Sequence, residues 1–119
     1  MSETQNSKHY DLENRTLKFA KNVIELVNKV SKTLPNLEIS KQLIRSAGSV
    51  GANYIEANES LSKKDFLMRI KICRKESKET RYWLKLISCS KESEIDQSTL
   101  IQESQELMKI FGAIVEKSK

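Results

Sequence analysis

Apolar and small residues recur along this chain in alternating steps of four and three, in four runs separated by short polar or proline-bearing stretches. In the first run Thr16, Ala20, Val23, Val27, Val30 and Leu34 mark one stripe, widened by Leu17, Phe19 and Ile24, a spacing that predicts an amphipathic helix. Asp11 suits its N-cap, and Pro35, which disfavours helical geometry at the residue before it, is expected to end it near Thr33 or Leu34. The second run is expected to start near Ile39 or Ser40. It places Leu43, Ala47, Val50, Tyr54 and Ala57 on one stripe with Ile44, Gly48, Gly51 and Ile55 beside it, predicting a broad buried face.

A third helix is predicted to open at Ser62, with Asp65 three residues later as an acidic variant of the capping box. Its stripe is Phe66, Ile70, Cys73, Ser77, Thr80, Leu84 and Ile87, small and polar in the middle, where Ser77 and Thr80 can bond carbonyls of their own helix. Gly48 and Gly51 each cost about 1 kcal/mol inside a helix relative to alanine. A close approach of helices two and three, small residues facing small, would compensate that cost; simple tolerance is the alternative. After a polar loop, Ser88 to Glu94, a fourth helix from about Asp96 carries Leu100, Ser104, Leu107, Phe111 and Ile114, with Ile110 beside them. Short connections force neighbouring helices to run antiparallel. The expectation is an all-α, up-down-up-down antiparallel four-helix bundle: a flexible leader over 1–10, a single bundle domain over 11–116 and a frayed tail over 117–119.

Composition agrees with this pattern. A chain of 119 residues that is 38% hydrophobic supports one compact core, and three glycines with one proline leave little material for hairpins. Cys73 and Cys89 have no histidine at ligand spacing, and the single histidine, His9, lies in the polar leader, so no metal site, disulfide framework or cofactor is indicated. Cys73 reads as a small buried hydrophobe. No apolar run approaches the roughly 18 to 20 residues that cross a bilayer, and MSETQNSKHY lacks a secretory apolar region, so a cytoplasmic protein is expected. A phosphate-cradling glycine loop, a His-Glu metal signature and a base beside a nucleophile are all missing from the sequence. Glu56 and Glu59 share helical spacing with countless unreactive pairs, so the chain is read as a non-enzyme.

Charge changes the picture through its distribution. Residues 62–88 hold nine basic and three acidic side chains, a net of +6, whereas the segments on either side are close to neutral. Arg74, Lys78, Arg81 and Lys85 recur at four, three and four, stacking along one helix face, and Lys71 and Lys75 extend it. Cations one helical turn apart can replace condensed counterions along a nucleic acid, which makes this ridge a candidate RNA- or DNA-binding face. A solvated helix face, partly offset by Glu76 and Glu79, is the competing reading. On helix two, Arg45, Ser49, Asn53 and Glu56 follow at four, four and three and form either a hydrogen-bonded ladder or a solvated face. Tyr54, Tyr82 and Trp83 read as core or rim residues, with an interface role for Trp83 the lesser alternative.

The run QLIRSAGSVGANYIEANES, followed by KKDF and KESKETRYWLKL, resembles the bacterial four-helix-bundle family first described from intervening sequences in large-subunit (23S) ribosomal RNA genes. The similarity runs from about Tyr10 to Phe111. It is most specific at Arg45, Ser46, Ala47, Ser49, Gly51, Asn53, Glu56 and Ala57, then at Phe66, Ser77, Glu79 and Leu84. The resemblance implies a left-handed bundle assembling into a ring-shaped homo-oligomer, typically a homopentamer, with no catalytic residues to carry over. Arg45, Gly48, Gly51, Asn53, Tyr54, Glu56 and Trp83 are the candidates for packing between helices or copies. Related accessory proteins of diversity-generating retroelements engage a reverse transcriptase and nucleic acid, so RNA, DNA or such a protein partner is implied. A scaffold or protein-binding module with no direct nucleic-acid role is the alternative function.

Overall fold

A computed structural model describes the chain from Ser2 to Lys119, with side chains from Leu12 onward. Four helices follow one another: α1 (Ser2–Lys29), α2 (Leu34–Asn58), α3 (Lys63–Leu86) and α4 (Glu94–Ser118), the last preceded by a 3-10 turn at Lys91–Ser93. No strand occurs among the described residues. The leader expected over residues 1–10, with His9, lies outside the residues whose side chains are described. Because α1 is helical from Ser2, Asp11 falls inside the helix instead of capping it. At the other end α4 continues through Lys117 to Ser118, so most of the expected tail is helical.

Cross-helix contacts give the direction of each element. Arg45 and Asn53 of α2 meet Glu79 and Arg69 of α3 respectively, and Arg15 and Lys29 of α1 meet Glu103 and Asp96 of α4, so both pairs are antiparallel. The short connections at 30–33 and 87–93 turn α1 against α2 and α3 against α4 in the same sense, which completes the up-down-up-down bundle that the periodicity predicts. The most extensive packing joins α2 to α3 and α3 to α4, while α1 and α4 meet along a thinner seam.

The boundary between the first two helices differs from expectation for a local reason. Proline disfavours a helix ahead of it but suits a first turn, where its missing N–H would have no partner anyway. Pro35 therefore opens α2 instead of closing α1. Thr33 is the N-cap, its Oγ1 accepting from the Asn36 N–H at 3.3 Å, and Leu34 begins α2 at 73% exposure instead of completing the α1 stripe. Ser62 caps α3 as predicted, its Oγ accepting from the Asp65 N–H at 3.1 Å.

The core runs along the facing stripes. Phe19, Val23 and Leu26 of α1, Leu43, Val50 and Tyr54 of α2, Ile70 and Leu84 of α3, and Leu107 and Phe111 of α4 are all buried. Each such large side chain contributes about 1.5 to 3 kcal/mol by leaving water. The Tyr54 ring lies 6.1 Å from that of Phe111, tilted by 52°, which makes it a core residue spanning α2 and α4. In α4 the stripe ends on Val115 rather than Ile114, which is half-buried. The faces of α1 and α2 are narrower than predicted: Leu17, Ile24, Ile44 and Ile55 are exposed.

The small, polar middle of α3 is satisfied as its composition requires. Ser77 Oγ donates to Cys73 O at 2.8 Å, and Thr80 Oγ1 donates to Glu76 O at 2.7 Å while meeting Ser46 Oγ of α2 at 2.9 Å. Ser46, fully buried, is thus the small residue that faces Thr80. Gly51 permits a close approach to α1 rather than α3: a Cβ there would stand 2.9 Å from Thr16 Oγ1. Gly48 has open space where a Cβ would be, so the close packing expected of it inside the bundle is absent. Three residues from Gly51, it lies on the outer edge of α2, beyond the reach of α1.

Candidate nucleic-acid interface

Burial of Ile70, Cys73, Ser77, Thr80 and Leu84 fixes the roll of α3, and that roll turns the opposite side of the helix to solvent. Lys71, Arg74, Lys75, Lys78 and Lys85 are accordingly exposed. Four of them, Lys71, Arg74, Lys75 and Lys78, line a groove of about 630 Å³ against α4, whose wall supplies Gln105, Met108, Lys109 and Gly112. Arg74 packs over Gly112, its Cδ and Nη1 each at 3.7 Å, ordinary contact distance, from where a Cβ would stand. Five cations therefore converge on one groove, and none of the residues lining it is acidic.

Arg81 and Lys85 do not line this groove. Arg81 is half-buried and its Nε is sealed from solvent without a hydrogen bond, while Lys85 is exposed further along α3. Lys109 has no counterpart in the sequence-based reading. It is one of only four basic residues in a segment holding six acidic ones, and its membership follows solely from α4 packing beside α3.

Glu76 and Glu79 of α3 reach toward α2. Glu79 accepts from Arg45 Nη2 at 2.8 Å, and Glu76, only 5% exposed, lies 3.6 Å from Arg45 Nη1 and 3.7 Å from Lys75 Nζ. Asn53 donates to Ser49 O and Ser49 Oγ, each at 2.9 Å, and its Oδ1 accepts from Arg69 Nη1 at 3.0 Å. The polar face of α2 is thus tied to α3 by two separate links, exposed Arg45 and half-buried Asn53, with Ser49 holding Asn53 from within α2. Glu56 is exposed and stands outside both. Trp83 is half-buried, with its Nε1 enclosed and unpaired and its ring 5.0 Å from that of Tyr82 in an edge-on arrangement at 75°. Glu79 and Glu76 are thus held toward Arg45 of α2, and of the groove cations only Lys75 has an acidic neighbour, Glu76.

A second groove, about 640 Å³ between α1 and α4, shows why sign matters. Its Arg15 guanidinium grips Glu103, with Nε to Oε2 at 2.6 Å and Nη2 to Oε1 at 2.8 Å, and reaches Glu106 Oε1 at 2.9 Å. The bond to Glu103 raises the Arg15 pKa, and hydrogen bonds from Gln102 and Arg15 hold the Glu106 carboxyl below its usual value. Its central cation is already neutralised, so it offers an anion little. Among the described residues no cluster of His, Cys, Asp and Glu could hold a metal ion, and no helix is long and apolar enough to cross a membrane.

Fold and groove together define a small all-helical bundle protein with a cationic cleft between its third and fourth helices. The chain belongs to the 23S rRNA-intervening sequence protein family, which matches residues 8–113. It is similar to the crystal structure of a protein of unknown function from the S23 ribosomal protein family of Bacteroides thetaiotaomicron. The two share 30% identity and superpose with a TM-score of 0.76, over 87% of this chain and 97% of the other. No curated protein matches the sequence.

Proposed function

We propose that the protein is a non-enzymatic, cytoplasmic homo-oligomer that binds the phosphate backbone of nucleic acid in the α3/α4 groove. The observation that carries this reading is the convergence of Lys71, Arg74, Lys75, Lys78 and Lys109 on a cleft with no acidic lining residue. Phosphates held there would displace counterions, so affinity falls steeply with salt. The test is a titration of RNA and DNA at several salt concentrations. Steep salt dependence that flattens when Lys71, Arg74, Lys75 and Lys78 become glutamate is expected, and no binding at low salt would sink the reading.

Assembly rests on a different surface. Leu17 and Ile24, seven residues apart on α1, are exposed, as are Ile44 and Ile55 of α2, which share the four-three-four stripe of Gly48 and Gly51, with open space at Gly48. Such a face suits a second copy of the chain, and a ring such as a pentamer would bury it repeatedly. Light scattering at micromolar concentration should give a multiple of 13.7 kDa, and a monomer throughout would refute assembly. The same apolar face favours a second reading, a scaffold that docks a protein partner. Recovery of one specific protein from the native cell after nuclease treatment supports the scaffold, and loss of all copurifying material with nuclease supports the first reading.

A further inference from the structure

The cationic stripe of α3 is interrupted by one aromatic residue. Lys71, Lys75, Lys78, Tyr82 and Lys85 advance by four, three, four and three residues, placing Tyr82 on the same solvent face as the lysines, one turn beyond the groove. Tyr82 is 59% exposed. Its ring meets that of Trp83 edge-on at 5.0 Å, a favourable aromatic contact on one side of the platform. Bases inside a duplex have both faces occupied by their neighbours, whereas an unpaired base has a free π-face that an aromatic ring can take.

We infer that the protein is selective for single-stranded nucleic acid: the α3/α4 groove holds the backbone, and Tyr82 stacks an unpaired base where the strand leaves it toward Lys85. This rests on the reading of the groove given above and adds the strandedness of the ligand. The groove portion of α3, Lys71 to Lys78, is only about 10 Å long, enough for a few phosphates. Selectivity must therefore come from what lies beside it. Stacking is indifferent to base identity and to the sugar, so single-stranded RNA and DNA of equal length should bind comparably.

Labelled oligonucleotides of about 16 nucleotides, as single-stranded RNA, single-stranded DNA and the DNA duplex of the same sequence, test this across a series of salt concentrations starting low. The single strands should bind tighter than the duplex. Tyr82→Ala should weaken single-strand binding about tenfold without changing its salt slope or duplex binding, and Tyr82→Phe should keep wild-type affinity. Trp83 emission should change saturably with single strands only. Equal affinity for duplex and single strand, or an unaltered Tyr82→Ala variant, overturns the inference while leaving the groove reading intact; no binding of any probe overturns both. A drop in oligomer mass for Tyr82→Ala, with helicity retained by circular dichroism, also overturns it and assigns Tyr82 to a contact between copies.

Discussion

Asn36 and Ser88, at opposite ends of the α2–α3 hairpin in sequence, are joined at one end of the bundle. Asn36 Nδ2 donates to Ser88 O and to Ser31 O, each at 3.0 Å, and its Oδ1 accepts from the Ser88 N–H at 3.0 Å. One buried amide thus ties the α1–α2 connection to the α3–α4 connection and satisfies three backbone groups that no helix can serve. Asn36→Ala should cost about 2 to 3 kcal/mol, since those groups lose their partners in a half-buried site. Asn36→Asp should also destabilise, because it replaces both donated bonds with a carboxylate facing carbonyl oxygens. Urea unfolding measures both, and a wild-type midpoint for Asn36→Ala would mean that packing alone holds the two connections.

The two glycines of α2 should respond in opposite directions. At Gly48 an added Cβ meets nothing within 4 Å, so Gly48→Ala should raise the stability of the bundle by up to about 1 kcal/mol through helix propensity alone. At Gly51 the Cβ would press on Thr16 Oγ1 at 2.9 Å and Thr16 Cβ at 3.3 Å. The hydroxyl is committed to Glu13 O at 3.0 Å, so it cannot simply turn aside. Overpacking of about 1 to 3 kcal/mol outweighs the propensity gain, and Gly51→Ala should lower the melting temperature. Thr16→Ala placed in the Gly51→Ala background should recover part of the loss by removing the nearest atom. If Gly48→Ala instead reduces the oligomer mass, its notch serves a contact between copies.

Burial pushes the Cys73 thiol up from 9.0 to about 12, and the thiol donates to Val50 O at 3.4 Å. The folded chain holds this proton more tightly than the unfolded chain. The stability it confers is therefore complete below about pH 9 and lost as pH climbs toward 12. Other groups titrate in this window, so the difference between wild type and Cys73→Ala isolates the contribution: wild type should lose stability more steeply above pH 9. Cys89 is half-buried and raised by burial and by Glu94 and Asp96. A thiol reagent near neutral pH should modify Cys89 first and reach Cys73 only through unfolding. Equal rates for the two cysteines would contradict the packing of α3 against α2.

The middles of the α3 and α4 stripes, Ile70 to Leu84 and Leu100 to Phe111, were legible in the sequence because there the four-three rhythm and core membership coincide, whereas the stripe ends slip to half-buried Phe66 and Ile114. The edges were not. Leu17, Ile24, Ile44 and Ile55 satisfy the same rhythm as their buried neighbours, and only the position of the adjoining helix decides which side of a wide stripe meets solvent. Pro35 carries two opposite signals, stop and start, and the choice depended on Thr33 being able to cap. In the groove, the α3 lysines were visible as a charge excess. Lys109 was hidden by the acidic composition of its own helix, and the half-burial of Arg81 by its regular spacing with exposed cations.

Lys109 therefore offers the sharpest test of whether the cationic surface is a two-helix groove or one face of a helix. Replacing Lys71, Lys75, Lys78 or Lys109 singly with glutamine should reduce the salt slope of nucleic-acid binding by about one in each case, since each removes one phosphate contact. Lys18→Gln, in the α1/α4 groove where Arg15 is already paired with Glu103 and Glu106, should leave the slope unchanged. Arg81→Gln should act on thermal stability rather than on the slope, because that side chain is half-buried and lies outside the groove. An unchanged slope for Lys109→Gln beside a reduced one for Lys75→Gln would confine the phosphate contacts to α3 and leave α4 as support. Equal reductions require a backbone lying between the helices, in contact with both walls at once.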